Sequence, residues 1–171
     1  MVERGEDLSY LIPKPSEALV AKYVLQSAHT SSSGTAEQIP ISDFTAVETI
    51  DGVTVTSDNL VLNKKGTYVI TNRFFTRDNS TSNSRNADIS INVREGGAAP
   101  LPVLENSRYM VRAPDGQYCR ISHEFTMIFK VAAGATKTLY YETESTIGAI
   151  VVFGANVATG EYTTIEIMKV D

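Results

Sequence analysis

Leu60-Val-Leu-Asn-Lys-Lys-Gly-Thr-Tyr-Val-Ile-Thr-Asn-Arg-Phe-Phe75, followed after a polar loop by Ala87-Asp-Ile-Ser-Ile-Asn-Val93, decides the fold of this chain. Leu60 and Leu62 share one face of a strand. Lys64-Lys65-Gly66 makes the next turn or bulge, and Tyr68, Ile70 and Phe74 line one face of the following run. Ala87, Ile89, Ile91 and Val93 alternate with Asp88, Ser90, Asn92 and Arg94, the period-2 pattern of a half-buried strand with one wet face.

The same pattern extends in both directions. Cys119, Ile121, Phe125, Met127, Phe129 and Val131 face one way, with His123 on their side; Arg120, Ser122, Glu124, Thr126 and Lys130 face the other. Strand-like runs at 138–143, 147–153 and 162–170 complete the set, punctuated by Gly96-Gly97, Asp115-Gly116, Ala132-Ala-Gly134 and Thr159-Gly160. Asp51-Gly52, between Ala46–Ile50 and Val53–Thr56, carries the signature of a tight hairpin. After Ala28 no run of ten or more residues has helical period, so the expected class is all-β, an antiparallel β-sandwich of the jelly-roll type. Residues 17–28 fit a short helix or a strand, with a strand from about Val20 preferred because the rest is β. Pro100, Pro102 and Pro114 blur the pairing within 98–118.

Three segments follow: an arm over 1–16, a first strand or short helix plus polar loop over 17–38, and the jelly roll over 39–171. The arm gathers Leu8, Tyr10, Leu11 and Ile12 ahead of Pro13 and Pro15, which favour extended backbone. An apolar cluster on a tail too short to have a core either folds back on its own domain or anchors on a partner. The run Ile147–Phe153 breaks the alternation, because Ile150 and Val152 are apolar as well as Ile147, Ala149, Val151 and Phe153. A strand apolar on both faces needs cover on both. The arm or a second subunit could supply it; subunit burial is preferred, making Ile147, Ile150, Val151, Val152 and Phe153 the interface candidates.

The chain has 171 residues and a net charge of -5, with a pI near 5.1. That excludes a basic field for nucleic acid or anionic lipid. Cys119 is the sole cysteine, so no intrachain disulfide forms. The first residues lack the apolar core of a secretion signal, and no apolar run approaches the ~20 residues of a membrane span. The expectation is synthesis in a cytoplasm.

Reaction chemistry finds little support. Cys119 and His123 on one strand face stand ~13 Å apart at ~3.3 Å per residue, too far to share a metal. Ser122-His123-Glu124 has triad residue types, but neighbours in a strand point to opposite faces. No phosphate loop, nucleophile elbow, zinc-protease helix or dinucleotide fingerprint occurs. No cofactor, metal or catalytic residue is expected. Tyr109, Tyr140 and Tyr141 could contact carbohydrate or protein, though tyrosine in a sandwich more often packs.

From Ile39 onward the layout resembles the complement globular-head and tumour-necrosis-factor-like jelly roll. The features are the expected hairpin Val47 to Thr56, Leu60-x-Leu62 before Gly66-Thr-Tyr68-Val-Ile70, the strand at 88–93, the long strand 119–131 running into Val131-Ala-Ala-Gly134 and Thr138-Leu-Tyr-Tyr141, and the closing Thr164–Lys169. That resemblance implies a homotrimer burying apolar sheet faces around a three-fold axis. The short arm and the Thr/Ser/Asn-rich loops look more like jelly-roll proteins of bacteriophage particles, which decorate heads or form fibres. The leading expectation is a non-enzymatic virion protein: a homotrimer anchored by residues 1–16 to a capsid or tail component, with a host-surface glycan or protein as a further partner. The alternative is a soluble receptor ligand or carbohydrate-binding module of the same fold. An enzyme on a β-sandwich comes third.

Overall fold

The computed structural model describes residues 19–31, 36–78, 85–96, 103–113, 120–145, 149–152, 154 and 162–170. The arm with Leu8, Tyr10, Leu11, Ile12, Pro13 and Pro15 lies outside them, as do Cys119, Ile147 and Phe153.

Thirteen strands are described: β1 Leu19–Leu25, β2 His29–Thr30, β3 Glu37–Gln38, β4 Phe44–Glu48, β5 Val53–Thr56, β6 Asn59–Leu62, β7 Gly66–Asp78, β8 Arg85–Glu95, β9 Val103–Ala113, β10 Arg120–Val131, β11 Lys137–Ser145, β12 Ile150–Val152 and β13 Thr164–Lys169. A 3₁₀ turn, Ile41–Asp43, precedes β4. The segment around residue 20 is thus a strand. All described pairings are antiparallel.

The strands form two sheets. In sheet A, β7 pairs along one edge with β10 and along the other with β13 and then β12; β13 leads on to β1 and β4, and β12 to β2. In sheet B the order is β5-β6-β11-β8-β9, with β3 beside β6 on the edge of β11. Both sheets therefore repeat one device, a long strand flanked by two short strands in series.

The core is where the inward residues of the two sheets meet. Ala21, Tyr23, Leu25, Tyr68, Ile70, Phe74, Ile165 and Ile167 come from sheet A, and Leu60, Leu62, Ile91, Val93, Leu139 and Tyr141 from sheet B; all are buried. Burying such side chains gives the main stabilisation, about 1.5–3 kcal/mol for each large one. Phe74 is the aromatic centre, 5.8 Å from the Tyr141 ring and 6.5 Å from those of Phe44 and Phe125. Two polar ties cross the core. Tyr141 Oη donates to Asn72 Oδ1 at 2.9 Å, and His123 of β10 reaches Ser107 of β9. Burial pushes the Tyr141 phenol pKa far up, so the hydroxyl keeps the proton that it donates.

The alternation read in β7, β8 and β10 holds on the inward faces. Two expectations need correction. Asp51-Gly52 is a turn, with Val53 N–H bonded to Ile50 O at 3.3 Å, but no hairpin follows from it. β4 lies on β1 in sheet A and β5 on β6 in sheet B, so the turn carries the chain from one layer to the other. Gly52 has φ +95°, and a Cβ there would stand 2.8 Å from both Lys64 Cβ and Tyr68 Oη. The tight hairpin is instead β5–β6, across Ser57 and Asp58 at φ 47° and 63°. Positive φ at both central residues matches the twist of two-residue hairpins. Asn59 Nδ2 bonds Ser57 O at 2.8 Å and Ile41 N–H bonds Asp58 O at 3.0 Å, which hold the turn.

The second correction concerns β8. Its outward face is not simply wet, because Ser90 and Asn92 are buried there.

Candidate interaction surfaces

Pairing registers decide which side chains meet on the open face of each sheet. On sheet A, Ile128 of β10 lies opposite Val69 of β7, Val69 opposite Met168 of β13, and Met168 opposite Val20 of β1. Four apolar residues from four strands thus form one row across a solvent-facing sheet. Ile128 is 70% exposed, Met168 39% and Val20 37%; Val69 is half-buried. The next row reads Thr126, Thr71, Glu166, Lys22, with Lys22 Nζ 2.6 Å from Glu166. Beyond it Arg73 pairs with Glu124. On this side of the apolar row the charges therefore compensate one another within the chain; Lys130 flanks Ile128 on the other. Exposed pairs of this kind contribute little to folding. Val20, Val69 and Met168 also line a shallow depression of about 100 Å³.

On sheet B the open face is polar. Register sets Glu144, Ser90 and Arg108 in one row, Glu142, Asn92 and Asn106 in the next, and Tyr140, Arg94 and Val103 in a third. Short side chains in the middle of the first two rows, with long ones on β11 and β9 beside them, leave a groove of about 230 Å³. Beneath it Glu142 is almost fully buried and accepts from Arg94 Nε at 2.8 Å, Arg94 Nη2 at 2.7 Å and Asn92 Nδ2 at 3.2 Å. At the groove's other end Arg108 Nε donates to Asp88 Oδ1 at 2.8 Å. The Arg108 guanidinium holds the Asp88 carboxyl below the usual carboxylate range.

The sequence candidates fall as follows. Ile150, Val151 and Val152 are buried within the single chain, between β2 and β7. Both faces of this strand segment are thus covered before any second copy arrives, and among the described residues the open apolar surface of sheet A lies elsewhere. Ser122 and Glu124 point outward while His123 points in, so no relay forms. His123 is fully buried; Nδ1 lies 3.2 Å from Ser107 O and Nε2 3.0 Å from Thr76 Oγ1, with the Tyr109 ring edge-on at 5.2 Å. Ser107 Oγ also lies 3.1 Å from Nδ1, so both ring nitrogens have hydrogen-bond partners inside the core. Burial pulls the His123 pKa from 6.5 down to about 4. Tyr141 packs in the core, Tyr140 stands beside Arg94 at the groove's end, and Tyr109 turns toward His123. Among the described residues no three His, Cys, Asp or Glu side chains gather as metal ligands, and no helix is long and apolar enough to cross a membrane.

Sequence reading missed Ile128. Its signal was available, as an isoleucine at an even position of β10 where Arg120, Ser122, Glu124, Thr126 and Lys130 are all polar.

The two-sheet order decides the structural comparison. The fold is that of a TNF-like jelly roll. Over 92% of this chain and 94% of the other, it superposes on Eiger TNF from S. frugiperda with a TM-score of 0.60 at 12% identity. Murine APRIL (pH 8.0 crystals) matches with a TM-score of 0.56 at 11% identity, over 90% of this chain and 99% of that one. No protein-family model and no curated protein sequence matches. At such identities the likeness extends to the fold. The bacteriophage resemblance finds no counterpart among these structures.

Proposed function

We propose that this chain is a non-enzymatic binding module that works as a homotrimer assembled through the open face of sheet A. The observation that carries the reading is the row Ile128–Val69–Met168–Val20. Side chains standing singly on a surface need no explanation, but a contiguous row across four strands marks an association site. On the Lys22 side of the row the ion pairs are complete within the chain, while on the other side Lys130 stands exposed two residues from Ile128. The TNF-like fold supports a three-fold arrangement, which is what the sequence resemblance implies. Light scattering on the purified chain tests it. The expected particle has three times the 18.6 kDa chain mass; a monomer at micromolar concentration overturns the assembly.

Within that reading we place the module on a virus particle, as a decoration or head- or tail-fibre protein held through residues 1–16. Support comes from the sequence: the apolar cluster Leu8, Tyr10, Leu11 and Ile12 sits with Pro13 and Pro15 on a segment too short to bury itself. Removing residues 1–16 should leave a folded trimer that no longer attaches to the particle. Retained attachment removes the anchor role and favours the rival reading, a soluble receptor ligand or carbohydrate-binding module.

A further inference from the structure

We propose that the groove on the open face of sheet B is a binding site for a neutral, polyhydroxylated ligand, a single ring of a carbohydrate. The first ground is construction. Three adjacent strands, in register from Asp88 to Val93 and with a bulge at Arg94, present Glu142, Glu144, Ser90, Asn92, Arg94, Asn106 and Arg108 as one grid. Ser90, Asn92 and Glu142 are buried although they lie on the sheet's solvent side, and the Arg94–Asn92–Glu142 bonds fix the floor. Rigid, already bonded polar groups lose little entropy on binding.

The second ground is the chemistry that remains when other ligands are set against the lining. Arg94 already meets Glu142 and Arg108 already meets Asp88, so each guanidinium faces a carboxylate of the chain. Counting Glu144 as well, three carboxylates stand against two guanidiniums, which disfavours an anion. No third metal-type ligand converges among the described residues, which disfavours a tightly held cation. Among the described residues Val103 is the one apolar member of the lining, so an apolar ligand would strand the polar groups it covered. At roughly 30 Å³ per molecule, the 230 Å³ groove holds about seven or eight waters. A ligand that displaces them must reproduce their hydrogen bonds in both senses. Adjacent ring hydroxyls do so, each donating to a carboxylate or amide oxygen and accepting from a guanidinium or amide N–H. The volume is below the roughly 300–1,000 Å³ of drug-sized pockets, which fits one sugar ring rather than a chain. Because this groove lies on the opposite layer from the Ile128 row, assembly through sheet A leaves it open in every copy.

The test is amide NMR of the full-length chain titrated with the methyl glycosides of glucose, galactose, mannose and N-acetylglucosamine, with sodium sulfate as the anion arm. At least one glycoside should move amides within 88–94, 103–108 and 140–144 in a saturable way. Arg108→Ala and Asn106→Ala, both at exposed positions, should each weaken that binding by about tenfold, as loss of one hydrogen bond in the site does. Three results overturn the proposal: no glycoside moves these amides, the two variants leave the affinity unchanged, or sulfate binds there more tightly than any sugar.

Discussion

Ile128→Asp should convert the assembled protein to a folded monomer. Fully burying an isoleucine side chain gives about 1.5–3 kcal/mol. Ile128 keeps 70% of its surface in the single chain, so about 1–2 kcal/mol remains to be gained per copy, and about 3–6 kcal/mol over three. Removing that lowers the association constant by about 10²–10⁴. The variant loses more than this, because a short carboxylate cannot reach back to solvent and its desolvation opposes contact. The fold itself should tolerate the change. Position 128 is on an edge strand and solvent-facing, and β-propensity spans only ~1 kcal/mol. Met110→Asp is the control, an equally simple change at a residue 75% exposed on β9, in the other sheet. Light scattering over a dilution series reads the mass, and far-ultraviolet circular dichroism reads the fold. The reasoning is refuted if Ile128→Asp keeps the parental mass at every concentration while remaining folded. It is equally refuted if Met110→Asp dissociates the particle as readily.

Three further changes probe the frame that holds these surfaces. His123 is neutral in the fold with a pKa near 4, against 6.5 unfolded, so stability is complete above pH 6.5 and declines as pH falls towards 4. At about 1.36 kcal/mol per pH unit the loss approaches ~3 kcal/mol, and His123→Gln should flatten that part of a urea-midpoint profile against pH. Tyr141→Phe leaves Asn72 Oδ1 buried without its donor and should cost about 1–3 kcal/mol, read as a lower urea midpoint at unchanged slope. Gly52→Ala forces a side chain into positive φ and against Lys64 Cβ, and should cost about 2 kcal/mol in the same assay; a smaller loss than Tyr141→Phe would mean that the 63–66 turn moves freely.

Strand identity was legible in the sequence because it is local. The alternation in β8 and β10 is a property of neighbours, and it named the buried faces correctly down to His123. Layer assignment was not legible. Asp51-Gly52 has the composition of a hairpin, but whether the strands on either side pair depends on where β1 and β6 lie, and no local pattern records that. Ser57-Asp58 lacks glycine and carries the hairpin because Asn59 and the 3₁₀ turn support it from outside. Nor could both open faces be read in advance. Asn92 and Glu142 are 50 residues apart, and Ile128 and Val20 come together only through three registers. Each residue taken singly is unremarkable for a strand; the surface exists only once the order of strands is known.

That order also bears on why the apolar row should end in a closed assembly rather than an open one. Among the described residues β10 is an edge of sheet A, and backbone along such an edge could template strand addition from another chain. Arg120, Glu124 and Lys130 project from that strand, and charged side chains along an edge oppose flat addition by a like strand. A row that crosses the sheet from β10 to β1 runs transverse to the strands, so a second copy must meet it face-on rather than extend the hydrogen-bond ladder. Face-on contact between unlike surfaces closes into a ring when the rotation between copies allows and otherwise grows without limit. With four residues in the row, and the paired Lys22 and Glu166 beside it, the apolar surface is too narrow to hold copies at many angles. A single rotation that buries all four in every copy leaves nothing for a further chain to bind, which is the closed assembly that we propose.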